Sequence, residues 1–284
     1  MSEAVERAAM PKGTHAAMEN RTVFNANRNL LDIIKQGDHV LDVGCGSGSI
    51  TASITPLVGD TGSVTGIDTS EHLIQIAREN HSLFSNLHFE IADILQYAPG
   101  ENKNKFVQFV TENSCLSEQE QFDIVSAARV LQWVANPKEI LLRMVALLKP
   151  GGYVSILDYN HEKIQWSPAV PETMDKFYQA FLQWRKDAGM DSQVADHLAN
   201  MFEKVGLKNI TVSNHSEQTN STDTDFAKHI NIWAIVAATR GKQMVSDGYI
   251  TEAERAAAEE DYQNWAATTA QSMNMYLLAV TGQK

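Results

Sequence analysis

The 284-residue chain has two cysteines, Cys45 and Cys115, too few for a disulfide framework or a cysteine-rich metal cluster, so no metal site is expected. Lysine and arginine never form a run, and the formal net charge is −12. A nucleic-acid partner is therefore not expected, because the phosphate backbone demands a clustered basic face. No apolar stretch approaches the roughly 20 residues that span a bilayer; Ile140 to Leu148 is broken by Arg143. The opening Met1-Ser2-Glu3-Ala4-Val5-Glu6-Arg7 carries acids and lacks the apolar centre of a signal peptide, so a cytoplasmic protein without membrane insertion is expected. Internal repeats and low-complexity tracts are missing too. What these absences leave is a chain long enough to bury one sizeable core and to handle a small molecule.

The most specific feature present is Val40-Leu41-Asp42-Val43-Gly44-Cys45-Gly46-Ser47-Gly48. An apolar run with one embedded acid suits a strand covered on both faces, and three glycines at alternate positions let the following turn approach a ligand closely. Ser49 to Ile54 reads as the start of a helix, which completes the strand, glycine turn and helix N-terminus of a nucleotide-type site. Two more short apolar runs each end near an acid: Val64-Thr65-Gly66-Ile67-Asp68, with Asp68 24 positions beyond Gly44, and Leu87-His88-Phe89-Glu90-Ile91-Ala92-Asp93-Ile94. Phe122-Asp123-Ile124-Val125 and Tyr153 to Leu157 read as a fourth and a fifth strand.

In order and spacing these signals resemble the class I S-adenosylmethionine-dependent methyltransferases, in particular the ubiquinone- and menaquinone-biosynthesis-like small-molecule group. The family's first motif is matched by Leu41 to Gly48, its second by Gly66-Ile67-Asp68, its third by Ala92-Asp93-Ile94 and the turn into its fifth strand by Leu148-Lys149-Pro150-Gly151-Gly152-Tyr153. The rival reading is an NAD(P)-dependent oxidoreductase, whose G-x-G-x-x-G would place the third glycine one position later than Gly48 and whose strand is usually apolar where Asp42 stands. A non-catalytic protein that keeps the donor site is the other alternative.

The resemblance implies an α/β fold: a Rossmann-like, doubly wound, mostly parallel seven-stranded sheet with an antiparallel last strand, plus a helical N-terminal cap and helical insertions. Residues 1–36 would form the cap, 37–160 the S-adenosylmethionine-binding core, and 161–284 the rest of the same domain. Helical substrate-lid insertions are expected at about 161–206 and 215–274. Within these, residues 22–35 read as one helix with Phe24, Leu30, Leu31 and Ile34 on its apolar face. Residues 137–148, 171 onward and 194–205 read as helices too, with Pro171 in a first turn, and Thr251 with Glu254 reads as a capping box opening another. Residues 99–121 look like an insertion, Ile210 to Ser213 like the sixth strand and Met275 to Thr281 like the last.

The same resemblance assigns the cofactor, S-adenosyl-L-methionine with S-adenosyl-L-homocysteine as product, and most of its contacts. Gly44, Cys45 and Gly46 would approach the methionine moiety, with Asp42 ordering the turn, and Ala127 and Gln132 would meet it from beyond the fourth strand. Arg21 would reach the methionine carboxylate, Asp68 the ribose hydroxyls, and Asp93 the adenine amino group between Ala92 and Ile94, with Thr69 a further cofactor contact. The reaction expected is methyl transfer to a small-molecule acceptor by in-line displacement, which asks the protein mainly to align the acceptor and exclude water. If a proton must leave, His161 is the candidate base, and Trp133, Tyr159, Trp166, His229 and Trp233 are candidates for the acceptor wall. Each has a plainer reading as well, a surface histidine or a packed aromatic. A homodimer stays open, because an exposed apolar lid and a subunit interface look alike in sequence.

Overall fold

A computed structural model describes residues 3–8, 20–99 and 121–284. Nearly all of the expected 99–121 insertion, including Cys115, lies outside the described residues. The chain opens with α1 (Glu3–Ala8), α2 (Val23–Ala26) and a 3-10 turn at Arg28–Asp32. It then alternates strand and helix: β1 (His39–Val43), α3 (Ser49–Val58), β2 (Ser63–Asp68), α4 (Glu71–Asn80), β3 (Leu87–Ile91), β4 (Phe122–Ala128), α5 (Pro137–Ala146) and β5 (Leu148–Tyr159). β6 (Gln165–Ser167), α6 (Glu172–Asp187), α7 (Val194–Lys204), β7 (Lys208–Asn214) and β8 (Glu217–Asn220) follow. The chain closes with α8 (Phe226–Ile230), α9 (Ile232–Ser246), α10 (Glu252–Thr268), β9 (Ser272–Met275) and β10 (Leu277–Gln283).

Seven strands form one sheet in the order β3-β2-β1-β4-β5-β10-β7, with β10 antiparallel to both β5 and β7. The expected fold class is the one observed. β1 lies parallel to β2 on one side and β4 on the other, so the strand order reverses at β1 and its C-terminal end opens into the crevice where such sheets take ligands. Both faces are covered. Leu41, Val43, Val125 and Ile156 pack with α5 and α7, whereas Val40, Val64 and Ile124 pack with α3 and α4, which is why these central strands are apolar on successive residues.

A third apolar core lies beyond the end of β5 and belongs to the insertions. Met174, Phe177, Phe181 and Trp184 of α6 meet Trp233, Ala237 and Met244 of α9 and Ala258, Tyr262 and Trp265 of α10. The α6 part of the first expected lid and the second lid are therefore one body, whereas α7 of the first packs on the large sheet. It also carries a three-stranded sheet, β6-β9-β8, which the sequence reading did not foresee because each strand is only three or four residues long. The expected last strand at 275–281 is in fact two: β9 joins this small sheet, and β10 after Tyr276 joins the large one.

The N-terminal region also departs from expectation. In place of one helix over 22–35 there is a single α turn followed by a 3-10 turn, and Phe24 is 56% exposed. Asn25 Oδ1 takes the Thr22 N–H at 2.7 Å as part of a capping box that opens α2, and the helix stops at Asn27, whose backbone leaves the helical region at φ −152°. The fifth strand begins at Leu148, ahead of the Pro150-Gly151-Gly152 turn, with an irregular register opposite Phe122 and Ile124. The Thr251–Glu254 capping box is present, with both reciprocal bonds made.

Candidate functional site

The glycine turn leaves β1 with Gly44, Gly46 and Gly48 all at positive φ, +70°, +57° and +81°. They are not equivalent. A Cβ on Gly44 would lie 2.5 Å from Val130 and one on Gly48 2.5 Å from Phe89, so these two let protein pack on the turn. A Cβ on Gly46 would meet nothing within 4 Å, so the backbone there faces open space. Cys45 points the other way, its sulfur against Gly66, and burial raises its thiol pKa well above the usual value. It is a small packing residue.

Asp42 holds the turn from beneath. Its carboxylate is buried and accepts from Thr51 Oγ1 at 2.7 Å and Ser126 Oγ at 2.9 Å, tying β1 to α3 and β4. Burial raises its pKa to about 6, against the pull of those two bonds.

Asp68 closes β2 over the same turn. Gly46 N–H donates to its Oδ2 at 3.0 Å and Ser70 N–H to its Oδ1 at 2.8 Å, so each carboxylate oxygen keeps acceptor capacity. Burial raises this carboxyl too, partly offset by those backbone bonds. Thr69 beside it is exposed. One strand further out, Asp93 is exposed and takes Leu95 N–H at 2.9 Å on one oxygen, with Ala92 half-buried and Ile94 buried on either side. Ala127 is buried near the C-terminal end of β4. The sheet thus gathers Gly46, Asp68, Ala92, Asp93, Ile94 and Ala127 at the C-terminal ends of adjacent strands.

Arg129, one residue beyond β4, adopts φ +63°, the left-handed region that side chains rarely occupy. Its guanidinium reaches three separate parts of the chain: the Ala26 carbonyl at 3.0 Å, the Tyr159 hydroxyl at 3.1 Å and Glu217 Oε1 at 2.5 Å. Tyr159 donates to the other Glu217 oxygen at 2.8 Å. Arg21 stands within reach of the same group, and its pKa is lowered by burial and by the charge of Arg129. Burial pushes Glu217 up, but Arg129 and Arg21 hold it below the ordinary carboxylate value. The cluster comprises two cations and one carboxylate, and it joins the N-terminal segment to the core and to β8.

Gln132 and His161 meet behind this cluster. The Gln132 amide donates to the Arg129 carbonyl at 3.2 Å, which turns its Oε1 toward His161 Nε2 at 2.5 Å. His161 must therefore carry its proton on Nε2 and its lone pair on Nδ1. Burial, and then the nearby Arg185 charge, lower its pKa well below the usual value, so the ring is neutral. The backbone of Gln132 is also engaged: its N–H donates to Asp158 Oδ2 at 3.1 Å, and its carbonyl accepts from Arg185 Nη2 at 2.7 Å. Gln132, expected beside the cofactor, makes these four bonds within the protein.

Four of the five acceptor-wall candidates share one aromatic cluster around His161. The ring of Tyr159 lies 5.4 Å from the imidazole and that of Trp233 6.3 Å, Trp166 packs edge-on at 6.2 Å from Trp233, and Trp133 packs on Phe181 at 6.5 Å. His229 is outside it, exposed on α8 and 3.4 Å from Asp225, because the short helix turns that side chain to solvent. A surface cavity of about 460 Å³ lined by Arg78, His81, Phe84 and Phe89 lies against the outer strand β3, away from the cluster. Among the described residues, no group of three or more His, Cys, Asp or Glu is arranged to hold a metal ion, and no helix is long and apolar enough to cross a membrane.

Several of these residues were missed. Asp158 carried a usable signal, an acid embedded in the apolar run Val154 to Tyr159 just as Asp42 is in β1. Arg185 and Glu217 carried none, since each becomes distinctive only through partners far away in the chain.

Against known proteins, a sequence model described as a methyltransferase domain matches residues 34–206. A demethylmenaquinone methyltransferase of Shouchella clausii is 24% identical over 195 residues, covering 64% of this chain and 76% of the relative. Among solved structures, Haemonchus contortus phosphoethanolamine N-methyltransferase 2 superposes with a TM-score of 0.52 at 16% identity, covering 96% of this chain and 53% of that one. The [4+2]-cyclase SpnF superposes with a TM-score of 0.51 at 18% identity, over 94% and 83%. These superpositions speak for the fold alone.

Proposed function

The chain belongs to the methyltransferase-domain family, whose sequence model matches it over residues 34–206, and from that premise we propose that it transfers a methyl group from S-adenosylmethionine to a small-molecule acceptor. One observation carries the reading. Asp68, with acceptor capacity left on both oxygens, stands at the end of β2 bonded to the N–H of Gly46, the one glycine of the turn whose Cβ position is open. That combination suits a ribose diol above the turn, because a carboxylate accepts from two neighbouring hydroxyls while the missing side chain lets the ligand approach.

In this reading Asp68 and Thr69 hold the ribose, Asp93 the adenine amino group, and Ala92 and Ile94 the faces of the ring. Gly44, Cys45 and Asp42 shape the turn, Ala127 borders it, and Arg21 supplies positive charge for a carboxylate. S-adenosylmethionine supplies an electrophilic methyl group, so the protein's task is alignment and exclusion of water. The insert body, α6 with α8 to α10 from the 161–206 and 215–274 insertions, serves that task as a lid, with 1–36 as a cap that Arg129 fastens through Ala26. Tyr159, Trp133, Trp166 and Trp233 form the acceptor side, and His161 accepts a proton at Nδ1 where the acceptor has one to lose. The demethylmenaquinone methyltransferase relative supports a small-molecule acceptor.

Titration calorimetry of the folded protein with S-adenosylmethionine and S-adenosylhomocysteine tests this. Saturable binding of both is expected; binding of neither overturns the reading. Asp68→Ala is expected to weaken binding by about 1–3 kcal/mol, the value of a charge-assisted hydrogen-bond site.

A further inference from the structure

Arg185 is the most deeply buried charge in the insert body, with 0% of its surface exposed. A guanidinium offers five N–H donors, and removing such a group from water without acceptors is costly. Here Nη2 reaches the Gln132 carbonyl at 2.7 Å, while Nε and Nη1 find no acceptor among the described residues. The buried Asp158 carboxylate offsets part of this charge but makes no direct hydrogen bond to it; its two oxygens each accept one N–H, from Tyr159 and from Gln132. The charge is partly offset, but the Nε and Nη1 donors are unmet.

What surrounds it is flat and apolar. The guanidinium stacks over Trp133 at 4.7 Å and over Phe181 at 5.4 Å, and Phe181 in turn touches His161 at 5.8 Å and Trp233 at 5.4 Å between ring centres. Trp233 Nε1 is a second buried donor without a partner. Arg240 also lies over the Trp133 ring, at 4.1 Å, which adds positive charge to the same compartment and makes a cationic ligand unfavourable.

We propose that Arg185 is the recognition residue for a carboxylate on a flat, apolar methyl acceptor, which the Trp133–Phe181–Trp233 compartment holds beside His161. This deepens the small-molecule methyltransferase reading and rests on it. Unmet donors on an aromatic platform select an anionic oxygen acceptor, and one guanidinium already shared with a backbone carbonyl matches one negative charge better than the two of a phosphate monoester. Access requires the half-buried Trp133 ring to swing, together with α1, whose Ala4 packs on it.

The test uses the full chain, with and without saturating S-adenosylhomocysteine, and three matched probes read by tryptophan fluorescence and calorimetry. These are benzoate against benzamide, cinnamate against cinnamamide, and phenylacetate against phenylacetamide. At least one acid is expected to bind saturably and tenfold or more tightly than its amide. Arg185→Gln should reduce that preference to within twofold while S-adenosylhomocysteine affinity stays unchanged, and Arg185→Lys should retain part of it. No acid binding better than its amide, or a preference that survives in Arg185→Gln, overturns the proposal. If both variants fail to fold, the wild-type acid-to-amide ratio alone decides. Loss of S-adenosylhomocysteine binding by the wild type would instead strike the cofactor reading, so the two failures are told apart.

Discussion

The side-chain oxygen of Gln132 sits 2.5 Å from Nε2 of His161, and the same amide is oriented by its bond to the Arg129 carbonyl, so one residue sets which imidazole nitrogen carries the lone pair. Gln132→Leu leaves the buried Nε2–H without a partner and is expected to lower stability by about 1–3 kcal/mol in urea unfolding. Gln132→Glu places a carboxylate against the ring and raises the His161 pKa. If His161 takes the acceptor's proton, the acidic limb of the kcat/KM profile moves to higher pH in Gln132→Glu. An unmoved limb would remove His161 from the chemistry.

Asp42 ties its stability effect to pH with a definite sign. Its folded pKa, about 6, lies above the ordinary carboxylate value, so the native state binds the proton more tightly than the unfolded chain. Its contribution is fully present below the unfolded pKa, near 4, and is lost as pH rises through about 6. Asp42→Asn keeps the shape without the buried charge. It should stabilise the protein by about 1–3 kcal/mol at pH 8 relative to wild type, with the gain vanishing near pH 4 in paired thermal-melt series. A gain independent of pH would mean that the charge is not what costs stability there.

The glycine turn predicts two different phenotypes from the same substitution. Gly46→Ala meets no protein atom and should cost about 1 kcal/mol for its positive φ, while blocking the ligand-facing side and weakening S-adenosylhomocysteine binding by an order of magnitude or more. Gly44→Ala drives a methyl into Val130, so it should lower the melting temperature more, with partial recovery in the Gly44→Ala, Val130→Ala double variant. Equal melting-temperature losses for the two single variants would contradict the assignment.

Arg129 separates backbone from side chain. Arg129→Ala and Arg129→Gly both abolish the bonds to Ala26, Tyr159 and Glu217, and each should unfold at lower denaturant than wild type. Glycine tolerates φ +63° and alanine does not, so Arg129→Gly is expected to be the more stable of the two by about 1 kcal/mol. The reverse order would mean that the backbone relaxes once the guanidinium lets go.

The core was legible because its signals are local. Apolar runs covered on both faces, Gly44 to Gly48 at a strand's end, Asp68 and Asp93 at the ends of the next strands, and the Thr251–Glu254 cap are each written within a few residues, and the backbone has few ways to satisfy them. The N-terminal segment departs from its pattern for a related reason: Leu30 and Ile34 supply a helical period, but the backbone leaves the helical region at Asn27, and a pattern of apolar residues does not weigh that.

By itself, then, the sequence determined a doubly wound sheet with a glycine turn and two strand-end carboxylates poised at its switch point. Tertiary structure decided the rest. It brought Gln132 to His161, Arg129 to Glu217 and Arg185 to Trp133, and joined helices of two separate insertions around Trp233. Such pairs join ordinary polar or aromatic residues across long stretches of chain. Their meaning lies in burial and in the few acceptors left beside them, and neither exists until the chain has folded.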